Sequence, residues 1–417
     1  MYKLLLLLVF WVFVSCSSSD DPSEEPGNVS WTPFDNSGEQ LTPSPSLEEL
    51  ELNPANVIKI TYNSVSTPEI DKPATASEVQ IDTDGQNVVV RIPDATIVEY
   101  NLVLKGTTGN GSLKIYGDVK KNLYLNGVSI TNNNGPAINI QKSKKVNVHL
   151  INGTNNFLSD GPAYSNIPAG EDAKGTFFSE GELNFTGSGT LEVRGKAKHA
   201  IAVDNDFGID NGKIIVSEAK SDGIHANDEI KVKGGFLKIT SVGDAIQNEI
   251  ANSIEIIGGK IAATTTGVKS HGITSEGTIS INDNAIIQIS VSGNGSKGIK
   301  STGYTKILGG TTAILANGAQ DNNNADTSTA AGIKVDDNLY IDGGNLTIKS
   351  PGSKAKGINV SVDIEMTKGI VDIEADDDGI KVHGTLKMSG GSISVASRKS
   401  DNIDGTIQKT GGTINGN

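Results

Sequence analysis

The chain has 417 residues, 36% of them hydrophobic, with a net charge of −14 and one cysteine. The negative balance excludes nucleic acid as a natural partner and favours cations, and a single cysteine rules out a disulfide framework. Gly 49, Pro 13 and only 5% aromatics describe many short strands joined by tight turns.

Lys3 precedes an apolar run from Leu4 to Val14 that ends at Ser15-Cys16. The run is shorter than the roughly 20 residues of a spanning helix, so residues 1–15 read as a lipoprotein signal peptide. Phe13-Val14-Ser15-Cys16 resembles the looser lipobox of Bacteroidetes, which marks Cys16 for lipidation. The following Ser17-Ser18-Ser19-Asp20-Asp21 resembles the signal that sends such lipoproteins to the outer face of the outer membrane. The alternative is a secretory signal cleaved elsewhere. Residues 16–55 are rich in Pro, Ser and Glu without hydrophobic period and read as a flexible tether. Residues 56–417 are expected to form one domain, with alternating segments between Val57 and Leu104 as its N-terminal cap.

From residue 110 the pattern is regular. An apolar anchor, preceded by Gly or Ala except at Phe178 and Ile403, recurs at Ile138, Phe178, Ile201, Ile224, Ile246, Ile273, Ile299, Ile333, Ile358, Ile380 and Ile403. From Phe178 the intervals are 23, 23, 22, 27, 26, 34, 25, 22 and 23. The long ones mark insertions, one at 317–330 and another, before Phe178, at 153–175. A second marker keeps step: Asn211-Gly212, Gly234-Gly235, Gly258-Gly259, Gly309-Gly310, Gly343-Gly344, Gly390-Gly391 and Gly411-Gly412 each precede a short alternating strand. Alternation without helix-period runs excludes helical repeats, and a propeller blade needs about 40 residues per unit. The unit predicts an all-β, right-handed parallel β-helix of roughly 11 coils.

In such a solenoid, equivalent positions of successive coils stack about 4.8 Å apart. Two residues before the anchor, Asp222 falls beside Asp244 and Asp378 beside Asp401. Like charges at that spacing need neutralisation, and a hard cation with oxygen ligands supplies it, Ca²⁺ being the natural choice outside the cell. Asp222, Asp244, Glu249, Asp378, Asp401 and Asp404 are therefore candidate metal ligands; the bland alternative is solvated turn aspartates. One residue after the anchor, Lys300, Lys334 and Lys381 form a row suited to sugar carboxylates, with His225 in the same column. These four are candidate carbohydrate contacts, against the bland reading of a solubilising face. Trp11 and Trp31 lie outside the array, which leaves Tyr304 and Tyr340 as its main aromatic candidates. No phosphate loop, nucleophile elbow or zinc signature is present, and no residue is assigned as catalytic.

The blocks NGSLKIYGDVKKNLYLNGVSITN (110–132), GPAINI (135–140), EDAKGTFFSEGELNFTGSGTLEV (171–193), KHAI (198–201) and SDGIHANDEI (221–230) closely resemble bacterial carbohydrate-binding β-helix proteins. The resemblance implies a polysaccharide-lyase-like β-helix, bound Ca²⁺ and binding of acidic or plant-wall polysaccharides such as polygalacturonate. It places Asp222 and Asp244 in matching turns, and Asp378 and Asp401 in a looser C-terminal part. The expected function is a calcium-dependent, cell-surface carbohydrate-binding lipoprotein, held to the outer membrane by a lipid and leaning to non-enzymatic. A Ca²⁺-dependent pectate-type lyase, with Lys300 or Lys381 as base, and a plain adhesin or surface spacer are the alternatives.

Overall fold

The computed structural model describes residues 41–165, 167–323 and 327–416, which fall in one compact unit. The lipidation residue Cys16, the signal peptide and most of the expected tether lie outside the described residues.

Three parallel sheets wind around one continuous apolar core running from Ile58 to Val395. The anchor sheet starts at Asn87–Arg91 and ends at Ile403–Lys409, each strand pairing in parallel with its equivalent one coil away. A second sheet starts at Val57–Asn63, and a third ends at Thr413–Gly416. The fold is the expected parallel β-helix, with about 13 turns rather than 11. Both additional turns are N-terminal: Val88 and Leu113 stack in register below Ile138. Their preceding residues are Asn87 and Ser112, which lack the small-residue step of later coils.

A one-residue correction applies at the first large insertion. Phe177, not Phe178, pairs with Ile138 and Ile201. Phe178 points to the other face, where it is fully buried beneath the segment 167–174: Lys174 Nζ lies 5.8 Å from its ring. The same segment is tied down by Glu171 to Lys114 at 2.6 Å and by the Asp172 carbonyl, which accepts from Gln141 at 2.7 Å. The first part of the expected insertion at 153–175 is no loop at all, since Asn155–Asp160 is a strand of the third sheet. The end of the expected tether is also docked: Leu47, Leu50 and Leu52 pack on Val103, Tyr124 and Ile151. Short antiparallel strands, Glu69–Asp71 and Gln80–Asp84, form the N-terminal cap, which pairs edges that would otherwise be open.

The two sequence markers have separate physical causes. The second residue of the Gly-Gly corners has a left-handed backbone, for example φ +80° at Gly235 and +85° at Gly259, where a Cβ is disfavoured. The glycine before the anchor is required by packing instead. A Cβ at Gly223, Gly272, Gly298, Gly332 or Gly357 would sit 2.3 Å from an isoleucine methyl of the third sheet. Those isoleucines share a column with Ile239, and where the small residue is Ala245 that column carries Ala263. Outside the core, Asn101, Asn122 and Asn147 stack on the second sheet, Asn122 donating to Asn101 at 2.9 Å and Asn147 to Asn122 at 3.0 Å. This amide ladder satisfies polar groups along the coil axis.

Gly272→Ala is expected to cost about 1–3 kcal/mol by overpacking. Paired with Ile289→Ala, it should cost less than the sum of the two single changes, as denaturant titration of the four proteins would show.

Candidate functional site

The turn before the anchor holds the most concentrated chemistry of the described residues. His199, Asp222, Asp244, His271 and Lys297 occupy one position on successive coils, two residues before the paired anchors Ile201, Ile224, Ile246, Ile273 and Ile299. Each of the first four side chains accepts the backbone N–H of the next. Asp222 N–H donates to His199 Nδ1 at 3.2 Å, Asp244 N–H to Asp222 Oδ1 at 2.8 Å, His271 N–H to Asp244 Oδ1, and Lys297 N–H to His271 Nδ1 at 3.0 Å. Turn amides need partners where strand pairing lapses, and Asp and His offer an acceptor of the right reach. The stacked acids Asp222 and Asp244 are thus bound by amide donors, an alternative to cation neutralisation that the column spacing alone did not disclose.

Around Asp222 the column thickens into a knot. Its Oδ2 lies 3.1 Å from His199 Nδ1 and 3.0 Å from His225 Nδ1. The two imidazoles stack with centroids 4.3 Å apart, and His225 Nε2 reaches Glu249 Oε1 at 3.2 Å. Burial alone would raise the Asp222 pKa, but the hydrogen bonds and charges of His199 and His225 take it well below the usual carboxylate range. Asp244 goes the other way: burial, then the charge of Asp222, raises it to about 7 despite the His271 amide and Lys300. His225, expected as a carbohydrate contact, is buried in this knot.

The C-terminal acids are differently neutralised. Lys356 Nζ bridges Asp377 and Asp378, Lys399 pairs with Asp376 at 3.0 Å, and Ser400 donates to Asp378. Burial would raise Asp378, yet the hydrogen bonds of Lys356 and Ser400 and the charge of Lys381 bring it below its ordinary value. Lys381 pairs with Asp404 at 2.6 Å, while Asp401 is exposed. Of the other row members, Lys334 pairs with Asp336 at 2.7 Å and Lys300 is half-buried, acting through space on Asp244 and His271.

These donors are a poor match to Ca²⁺, which takes 6–8 oxygen ligands. In the first cluster two of the converging atoms are imidazole nitrogens, Asp222 Oδ1 and Asp244 Oδ1 are spent on amides, and Glu249 is turned to His225. In the second, lysines already supply the positive charge. Neither set fits calcium as an ion held within the turn.

Comparison with known proteins places the chain. A family model for carbohydrate-binding domain-containing proteins matches residues 84–355. The chain belongs to this family. A curated carbohydrate-binding domain-containing protein from Acetivibrio thermocellus is 31% identical over 116 residues, which span 27% of this chain and 40% of the relative. The match thus covers less than half of that relative's length. Among solved structures, the gadolinium derivative of a polysaccharide lyase-like protein from C. thermocellum aligns with a TM-score of 0.52 and 25% identity. The alignment covers 60% of this chain and 96% of that one. Carbohydrate binding is the function class that membership carries, and the matched residues enclose the His199–Lys297 column while leaving Asp376–Asp404 outside.

Within the family region, the second sheet presents a patch that reading the anchor columns missed. Lys306 and Tyr340 pair on neighbouring strands, Tyr304 and Tyr340 meet edge to face at 6.1 Å, and Lys306 Nζ lies 4.8 and 5.7 Å from their ring centroids. Both tyrosines stood out by scarcity; their cationic partner belongs to a column that was not aligned. His199 was likewise visible two residues before an anchor, but its contact with Asp222 crosses between coils.

Burial, then the charges of Lys297 and Lys300, push His271 down to about 3. The folded pKa lies below the unfolded value of about 6.5, so the unfolded chain alone takes up this proton and stability is lost as pH falls from about 6.5 towards 3. His271→Asn keeps an acceptor for the Lys297 amide and removes the titration. Its stability should fall less between pH 7 and pH 4.5 than that of the parent, by up to about 2–3 kcal/mol, measured by urea unfolding at both values.

Proposed function

We propose that the protein binds acidic, plant-wall-type polysaccharide at the bacterial surface without cleaving it, carried on a lipid at Cys16. The observation that carries this reading is the Tyr304–Lys306–Tyr340 patch. Tyrosine ring faces stack on the C–H surfaces of sugars, and Tyr304 is 36% exposed. Among the described residues Lys306 makes no ion pair, so its ammonium remains available to a uronate carboxylate while the rings hold it in place. The flat outer face of a stacked sheet suits an extended polymer, and family membership supplies the ligand class.

Three features favour binding over lyase chemistry. A lyase base must give up its proton near neutral pH, whereas Lys334 and Lys381 are held in ion pairs with Asp336 and Asp404. Lys356, between Asp377 and Asp378, is raised above its ordinary value, the two carboxylates outweighing burial. The turn acids also lack the oxygen cage that would hold a catalytic calcium. Calcium enters this reading as a bridge between glycan carboxylates and open surface acids such as Asp401. The anchor rests on Phe13-Val14-Ser15-Cys16 and the acidic residues after it; Cys16→Ala should release the protein from membranes.

Affinity electrophoresis in polygalacturonate, with neutral glucan as control, tests the reading. Tyr304→Ala and Lys306→Gln should each weaken retention about tenfold, roughly 1.4 kcal/mol, and EDTA should weaken it partly, with Ca²⁺ restoring it. Unchanged retention in the double variant would remove the patch. Accumulation of ultraviolet-absorbing unsaturated ends would establish the lyase instead.

A further inference from the structure

The knot at Asp222 gathers two imidazole nitrogens around one carboxylate oxygen. Three atoms converge: His199 Nδ1, Asp222 Oδ2 and His225 Nδ1, all within 4.8 Å of one another. His199 Nδ1 accepts the Asp222 backbone N–H at 3.2 Å, so in that bond it presents a lone pair. The same column repeats the arrangement at His271, whose Nδ1 accepts the Lys297 amide at 3.0 Å. His225 is oriented from its other side: Nε2 lies 3.2 Å from Glu249 Oε1, and the tautomer that donates there carries its lone pair on Nδ1. The His225 lone pair then faces Asp222 Oδ2 at 3.0 Å, and His199 Nδ1, 3.1 Å from the same oxygen, exchanges the Asp222 amide for an ion on binding. In that tautomer three acceptors meet, whereas a proton on His225 Nδ1 is donated to Asp222 Oδ2.

We infer that His199 Nδ1, Asp222 Oδ2 and His225 Nδ1 form a binding site for a borderline divalent transition-metal ion, of which Zn²⁺ is the type. Two imidazoles and one carboxylate are a donor set that suits such an ion and not calcium. Ligand atoms around a tetrahedral ion with bonds of about 2.0–2.1 Å lie roughly 3.3 Å apart, so the two N···O separations need to open by only a few tenths of an ångström. Glu249 supplies the outer carboxylate that commonly fixes the tautomer of a metal-bound histidine. Asp222 Oδ1 is already anchored by the Asp244 amide at 2.8 Å, which aims Oδ2 into the knot. The His199 side chain is 18% exposed, which leaves the ion a route in from solvent and a coordination position facing out. The site is independent of the tyrosine patch.

The full-length protein, stripped with chelator and dialysed at pH 7.5, is titrated with Zn²⁺, and in parallel with Ca²⁺, by calorimetry. One Zn²⁺ per chain with a Kd of about 1 μM or tighter is expected, with no comparable Ca²⁺ event from this site. Co²⁺ should give the visible absorption of a tetrahedral complex. His199→Asn retains an acceptor for the Asp222 amide and should lose at least tenfold in Zn²⁺ affinity, with thermal unfolding reporting that the fold persists. Glu249→Gln, at a half-exposed side chain, should weaken binding about 10–100-fold. Absence of Zn²⁺ binding by the folded parent overturns the site and assigns the knot to an imidazolium held between Asp222 and Glu249. Zn²⁺ affinity unchanged in both variants also overturns it, by moving the ion elsewhere.

Discussion

Every property of this chain depends on one constraint: the backbone hydrogen bonds of a parallel stack place each residue directly over its counterpart in the next coil. The pairings of Ile201, Ile224, Ile246 and Ile273 illustrate it, an unbroken apolar column from coils of unequal length. Because loops absorb the extra residues, chemistry repeats by column and not by fixed spacing. The same constraint limits what a column can hold. A glycine is needed where an isoleucine methyl intrudes, amides stack where they can donate along the axis, and acids stack where the neighbouring coil brings an N–H to each.

That last case separates architecture from function. Stacked aspartates look like a cation site because charge is visible in a sequence and amide donors are not. Once Asp222, Asp244 and His271 are each seen to accept along the coil axis, the recurrence of Asp and His in the column is accounted for by the turn itself. What exceeds the structural need is local: the second oxygen of Asp222, two imidazoles that crowd it, and a carboxylate behind one of them. The lysine row behaves similarly. Lys334 and Lys381 spend their charge on Asp336 and Asp404, while Lys306, without an ion pair among the described residues, sits on another sheet between two tyrosines.

Much of the fold was legible because anchors and Gly-Gly corners repeat with the coil. The failures have definite causes. Phe177 and Phe178 are both large and apolar, and either serves as anchor on pattern; the overlying segment 167–174 buries the one that should face water. The first two turns escaped because Asn87 and Ser112 stand where most later coils have Gly or Ala. Leu47, Leu50 and Leu52 were lost among polar neighbours, although their spacing lets them share one face against Val103, Tyr124 and Ile151. For the site, the column of His199, Asp222, Asp244 and His271 could be aligned from sequence; which atom of each side chain is spent on the backbone could not.

Amide hydrogen exchange at that column tests the account most directly. If side chains cap the turn, the N–H groups of Asp222, Asp244, His271 and Lys297 will exchange as slowly as those of the adjoining strands, despite lying in turns near the surface. Exchange as fast as at an exposed turn amide such as Lys399 would contradict it, and would return the stacked acids to the solvent.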